Sequence, residues 1–142
     1  MKMVQDFSEI FIKTGRQGLY EFTSEVKERC SLASVRNGLV NLSILHTSAS
    51  LLIQENADPA VIVDIQNFFG DLVPHGPQYT HKSEGDDDMP AHIRTALTNT
   101  NLAISVQNFE LILGVWQGLY LFEHRDFVQE RIVLCHIIGD LR

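Results

Sequence analysis

Positive charge, cysteine and proline are all scarce in this chain. Against 18 Asp+Glu stand 11 Lys+Arg, for a formal charge of -7, and the 142 residues include two cysteines, four prolines and one tryptophan. The deficit of Lys and Arg repels a phosphate backbone, and no local basic patch reverses it, so a general nucleic-acid role is excluded. Cys30 and Cys135 show no C-x-x-C spacing and each sits in an apolar segment, so both read as buried free thiols. No apolar run approaches the roughly 18 residues of a membrane span. Met1-Lys2-Met3-Val4-Gln5-Asp6 meets charge before any apolar stretch forms, so no signal peptide is expected and a cytoplasmic setting fits. The G-x-S-x-G elbow, the H-E-x-x-H pair, the EF-hand spacing and the phosphate-cradling glycine loops are missing as well.

What is present is a globular composition, 44% hydrophobic and 20% charged, of a length suited to one domain over residues 1–142. Val4 to Thr14 reads as a strand, Gly15-Arg16-Gln17-Gly18 as a turn, and Leu19 to Phe22 as a short strand pairing back on the first. Thr23 is the expected N-cap of a helix over Ser24 to Ala33. Val40, Leu42 and Ile44 alternate with Asn41 and Ser43, the pattern of a half-buried strand whose apolar parity His46 continues. Ala49 to Gln54 is a further strand. Asp58-Pro59 opens a helix whose inward stripe is Val61, Ile65, Phe68 and Leu72. After a long segment from Val73 to Met89, a helix over Pro90 to Asn99 faces Ile93, Ala96 and Leu97 inward, and strands follow over Leu102–Val106, Glu110–Phe122 and Phe127–Ile138. The expected fold is α+β: one compact domain, a largely antiparallel sandwich-like sheet, and two to three helices.

Three clusters hold groups capable of chemistry. His46-Thr47-Ser48-Ala49-Ser50 with Glu55-Asn56-Ala57-Asp58-Pro59 offers an imidazole and a carboxylate; Asp58 reads as a cap, which leaves Glu55 as the functional candidate. His81 to His92 places two imidazoles around Glu84, Asp86, Asp87 and Asp88, of which at most two adjacent aspartates reach one ion. In the third, Gly114-Val115-Trp116-Gln117-Gly118 leads to Glu123-His124-Arg125. Gln117 and Glu123 share a strand face but lie about 20 Å apart at roughly 3.3 Å per residue, so either one alone is functional or sites are assembled between subunits. Trp116 and Tyr120 share the other face and read as packing residues.

His46-Thr47-Ser48-Ala49-Ser50, Glu55 to Pro59, Tyr79 to Asp88, Ala91-His92 and Leu113-Gly114-Val115-Trp116-Gln117, in that order, resemble the YjbQ-like family, whose members have been labelled secondary thiamine-phosphate synthases. The resemblance implies an α+β domain assembling as a homotrimer, with sites near subunit boundaries. It gathers His46, Glu55, His81, His92 and an aspartate of the 86–88 run at one site, lined by Ser48 and Asn56, with Gln117 as a further substrate contact. The implied activity couples a pyrimidine pyrophosphate to a thiazole phosphate, so the expected partner is a small phosphorylated molecule and the expected cofactor a divalent metal, magnesium or zinc. The candidate metal ligands are His46, His81, His92, Asp87 and Asp88. Two other readings stand beside this one: a metal-dependent hydrolase with Glu55 as base, and a non-catalytic metal- or anion-binding module. Oxygen-only ligation of magnesium would favour pyrophosphate chemistry, and imidazole ligation of zinc would favour hydrolysis or binding. The Val106-Gln107-Asn108-Phe109 turn and Met89-Pro90 depart from the family pattern, the first by lacking a turn glycine.

Overall fold

The computed structural model describes residues 2–141. Strand β1 (Met3–Thr14) is followed by β2 (Gly18–Glu21), α1 (Thr23–Ala33), β3 (Val35–Ile44), β4 (Ala49–Glu55), α2 (Pro59–Leu72), α3 (Asp88–Leu97), β5 (Asn101–Gln107), β6 (Glu110–Leu111), β7 (Gln117–Glu123) and β8 (Gln129–Leu141). Two sheets form, one ordered β1-β8-β3-β5-β6 and one ordered β2-β7-β4. All their pairings are antiparallel, as the sequence predicts.

The core fills the space between the sheets. Val40, Leu42 and Ile44 of β3 face inward with Val133, Cys135 and Ile137 of β8 and Ile104 of β5, while Leu51 of β4 and Leu119 and Leu121 of β7 enter from the other sheet. Phe22, Val26 and Cys30 add the inner face of α1. Cys30 and Cys135 are buried free thiols, and burial pushes the Cys30 thiol up to about 11, so neither is a ready nucleophile. Among the described residues no helix is long and apolar enough to cross a membrane.

Several local expectations need correction. β2 pairs with β7 and β1 with β8, so Leu19 to Phe22 does not fold back on the first strand; strand partners are chosen by distant burial, and the Gly15–Gly18 turn joins two different sheets. Phe22, not Thr23, occupies the N-cap of α1; the Thr23 hydroxyl donates to Glu21 at 2.8 Å and accepts the Leu119 N–H at 2.9 Å. Asp58 does cap α2, accepting the Ala60 N–H at 2.9 Å. The α2 stripe is displaced: Phe68 and Leu72 are 60% and 54% exposed, and Phe69 instead sets its ring edge-on against Phe122 at 5.4 Å. In α3 the buried positions are Asp88, Pro90, Ala91, Arg94 and Thr95, and Leu97 and Ala96 are exposed. The long strand expected over Glu110–Phe122 is broken at 112–116, which leaves Trp116 61% exposed in a loop while Tyr120 is buried in β7.

A candidate metal centre at the start of the third helix

α3 begins at Asp88, so Asp88 and His92 stand one turn apart on a single face. The segment before it turns back at Gly85, whose φ of +109° is open to glycine and strained for other residues. That reversal returns His81 to the helix. His81 Nε2 lies 2.7 Å and His92 Nε2 3.1 Å from the same Asp88 oxygen, Oδ2. These three ligand atoms all lie within 4.8 Å of one another. The Asp88 side chain is 2% exposed, whereas His81 and His92 are 42% and 31% exposed, so the cluster is floored by a buried carboxylate and open on its imidazole side.

Hydrogen bonding fixes how His92 presents itself. Its Nδ1 is 2.8 Å from the carbonyl oxygen of Thr47, which can only accept, so Nδ1 carries the proton. Nε2 is then left facing a carboxylate oxygen. That pairing is favourable only with positive charge between the two atoms, either a proton on Nε2 or a cation. An imidazole with one nitrogen on a backbone carbonyl and the other turned to the site is how metal-ligating histidines are oriented.

Arg125 secures the carboxylates from behind. It donates to Asp88 Oδ1 at 2.9 Å and to Asp87 Oδ2 at 2.8 Å, which leaves Asp88 Oδ2 for the imidazoles. Burial works to raise the Asp88 carboxyl, but the His81 hydrogen bond and the charges of His92 and Arg125 outweigh it and hold the group below the usual carboxylate range. Asp87 is likewise held low against its burial by Arg125 and by the Asp126 N–H, 3.0 Å from Oδ2. In return the Asp87 hydrogen bond raises Arg125 above its ordinary range. Beside the cluster lies a cleft of about 270 Å³ lined in part by Tyr79, His81, Lys82 and Asp86.

The other expected site residues separate into two groups. His46, just past β3, is outside the cluster: its Nε2 accepts the Ile132 N–H at 2.8 Å, extending the ladder to β8, and burial followed by the Arg131 charge lowers its pKa. Ser48 is buried nearby, its hydroxyl accepting from Arg131 Nη2 at 3.0 Å. Glu55, Asn56 and Gln117 lie at the opposite end of β4 and β7, where Glu55 is register partner of Gln117 while Ala49 is partner of Glu123. Seven residues of strand put about 20 Å between the two ends. Asn56 and Gln117 line a separate cleft of about 560 Å³ with Glu21, Thr23 and Lys27. Within one chain, therefore, Glu55 does not reach the histidines. Thr47 and Arg125 complete the centre, and the sequence signals neither role: one acts through its backbone, and the other arrives from 37 residues beyond Asp88.

The fold is that of a small α+β protein of two antiparallel sheets and three helices, with a candidate His/Asp cluster at the start of α3. Residues 8–140 match the family described as UPF0047 protein YjbQ-like. The chain is 46% identical over 133 residues to the UPF0047 protein sll1880 of Synechocystis, covering 93% of this chain and 90% of the relative. The chain belongs to the YjbQ-like UPF0047 family. Among solved structures, an uncharacterised YjbQ/UPF0047 protein of Clostridium acetobutylicum superposes with a TM-score of 0.85 at 32% identity, covering 92% of this chain and 98% of that one. A protein of Sulfolobus solfataricus described as YbjQ-like and of unknown function shares the fold, with a TM-score of 0.90 at 22% identity over 98% of this chain and all of the other.

Proposed function

We propose that this chain is a transition-metal-dependent enzyme that activates water against a small phosphorylated substrate, with His81, Asp88 and His92 as the metal ligands. The observation that carries the reading is the convergence of two imidazole nitrogens and one carboxylate oxygen, with His92 already oriented by Thr47. Two nitrogens and one oxygen form the donor type of catalytic zinc sites and differ from the all-oxygen sets that magnesium takes. His81 Nε2, His92 Nε2 and Asp88 Oδ2 would hold such an ion.

A zinc ion would supply a hydroxide near neutral pH by lowering the pKa of bound water. The chain's own groups do the rest. Arg125 holds Asp88 with Oδ2 turned to the site, Thr47 keeps the His92 lone pair directed at it, and Lys82 in the adjoining cleft offers a cation to a phosphoryl group.

The magnesium-dependent synthase reading rests on the family resemblance and is less favoured by the geometry. Arg125 engages both oxygens of Asp87 and Asp86 stands apart from the cluster, so Asp88 Oδ2 is the one carboxylate oxygen beside two imidazoles. Assembly with further copies, the homotrimer the resemblance implies, is supported by Val115 and Trp116, 82% and 61% exposed beside the Asn56–Gln117 cleft. Such assembly would let a neighbour's Glu55 end approach the histidines. Metal analysis of the purified protein, followed by titration of chelator-stripped protein with zinc and with magnesium, tests the proposal. One zinc per chain, lost in Asp88→Ala, together with zinc-dependent hydrolysis of a simple phosphate ester, is expected. Magnesium-supported activity with no zinc uptake would overturn it.

A further inference from the structure

Arg94 differs from the chain's other shielded arginines. The half-buried Arg125 and the buried Arg131 each close ion pairs, whereas Arg94, 4% exposed, forms none among the described residues. Its Nη1 donates to Gln17 Oε1 and its Nη2 to the Val73 carbonyl, both at 2.8 Å. Nε has no partner. A guanidinium carries five N–H donors, so these contacts leave three unspent. The acid associated with it, Asp126, is reached through the Gln17 amide, which donates to the Asp126 carboxylate from its other end. Asp126 is itself 46% exposed, so its charge is largely screened.

Against this cation lies a cavity of about 210 Å³, walled by Gln17, Gly18, Gln66, Phe69, Arg94 and Phe122. No acidic side chain belongs to that wall. The Gln66 amide nitrogen reaches over Gly18, 3.1 Å from where a Cβ would stand. A buried cation is costly unless a counter-charge and hydrogen-bond acceptors complete it. Here the missing component is an anion, and Arg94 and Gln66 both line the space in which one would sit.

We propose that this cavity is a binding site for a small oxyanion, the carboxylate or phosphoryl group of a small molecule, with Arg94 as counter-ion and the Gln66 amide as a second donor. The cavity is smaller than the roughly 300–1,000 Å³ of pockets that enclose whole drug-sized ligands, which suits one functional group. Arg94 follows Asp88 by six residues, about 240° around the helix, so it presents to the opposite side of α3 from the metal cluster. The proposal is thus independent of the metal reading.

The test is thermal unfolding of the full chain in chelator, titrated separately with inorganic phosphate and with acetate against chloride at matched ionic strength. Wild type shows a saturable rise in midpoint with at least one anion, about 5 °C at tenfold saturation. The anion giving the rise identifies the group. Gln66→Glu supplies the carboxylate internally; its midpoint without added anion is higher than wild type, and the saturable rise is abolished. Arg94→Lys keeps a cation with fewer donors and weakens the apparent affinity at least tenfold. Asp88→Asn responds as wild type. The proposal is overturned by a flat wild-type titration with both anions, by an undiminished rise in Gln66→Glu, or by loss of the rise in Asp88→Asn, which would move the anion to the metal cluster.

Discussion

Glu123 and Arg131 join the two sheets through a bidentate ion pair, Nε to Oε1 at 2.7 Å and Nη2 to Oε2 at 2.6 Å, with Glu123 wholly buried and Arg131 4% exposed. The same carboxylate accepts the Thr14 hydroxyl at 2.6 Å and the N–H groups of His124 and Arg125 at 3.0 and 3.1 Å. Its remaining capacity thus fixes the backbone that aims Arg125 at Asp87 and Asp88. Arg131 in turn holds Ser48, next to the Thr47 carbonyl that orients His92. Glu123 is a positioning residue for the proposed metal centre as well as a structural one.

Removing one partner leaves an uncompensated buried charge. Glu123→Gln should therefore lower stability by about 3–5 kcal/mol in urea unfolding. The double variant Glu123→Leu/Arg131→Met, which takes both charges out, should be more stable than either single variant. A double variant as unstable as the sum of the singles would show that packing, and not the unpaired charge, sets the cost.

Metal affinity should divide ligands from their supports. Asp88→Asn removes a charged donor, and zinc binding measured by competition with a chromophoric chelator should fall at least about 100-fold. Arg125→Met leaves all three ligand atoms in place but frees Asp88 to turn, and a loss of about 10–100-fold is expected. Because bound imidazoles must be neutral, affinity for zinc should also fall on acidification, with protons released on binding. An Arg125→Met protein with wild-type affinity would remove that residue from the centre.

His124 sets an acid dependence that is separable from the carboxylates. Burial first, then the Arg94 and Arg131 charges, push its pKa from 6.5 to about 3, and its Nε2 is 2.8 Å from the Ser50 hydroxyl. Between those two values the unfolded chain binds a proton that the native protein refuses, so stability falls as pH drops through that window. The slope is about 1.4 kcal/mol per pH unit for one such group. Asp87 and Asp88 have folded values depressed below 3.8, so their contribution is present above that pH and is lost only as it falls through the folded values. His124 alone should thus cost wild type about 2 kcal/mol between pH 6.5 and 5 by urea unfolding, with His46, also lowered by burial, adding to the loss, and His124→Phe should lose markedly less. Equal losses in both proteins would place the acid sensitivity elsewhere.

Periodic, one-sided burial is what the sequence displays best. Val40, Leu42 and Ile44 alternate because β3 has one wet face, and Asp58-Pro59 marks α2 because capping is local. Partner choice is not local, which is why β2 looked like the return arm of β1. The α2 stripe misleads because this helix has no fully buried residue: its apolar content is high, yet Phe68 and Leu72 remain exposed. In the site, His81, His92 and the aspartate run stand out as a cluster of ligand types. Their geometry hinges on two residues of helix boundary: started at Pro90, α3 excludes Asp88, and started at Asp88 it places Asp88 and His92 on one face. The separation of Gln117 from Glu123 follows from strand length alone and holds, and the same arithmetic separates Glu55 from the histidines.

The β5–β6 turn offers a gain in stability by one substitution. Asn108 and Phe109 have φ of +51° and +68°, the left-handed pair that a two-residue hairpin turn requires. Asn tolerates this region, whereas Phe there carries a cost of roughly 1–2 kcal/mol that glycine escapes. Phe109 is 43% exposed, so the packing lost with its ring offsets part of this relief, while its N–H bond to the Arg36 carbonyl at 2.9 Å survives any side-chain change. Glycine also adds freedom to the unfolded chain, which offsets part of the gain. Phe109→Gly should therefore raise stability by about 1 kcal/mol net, or roughly 3–4 °C in melting temperature, while zinc affinity stays at the wild-type value. Phe109→Ala, which keeps the Cβ and its left-handed penalty, should show no such rise. If alanine stabilised as much as glycine, the benefit would come from removing an exposed ring and not from relieving the backbone.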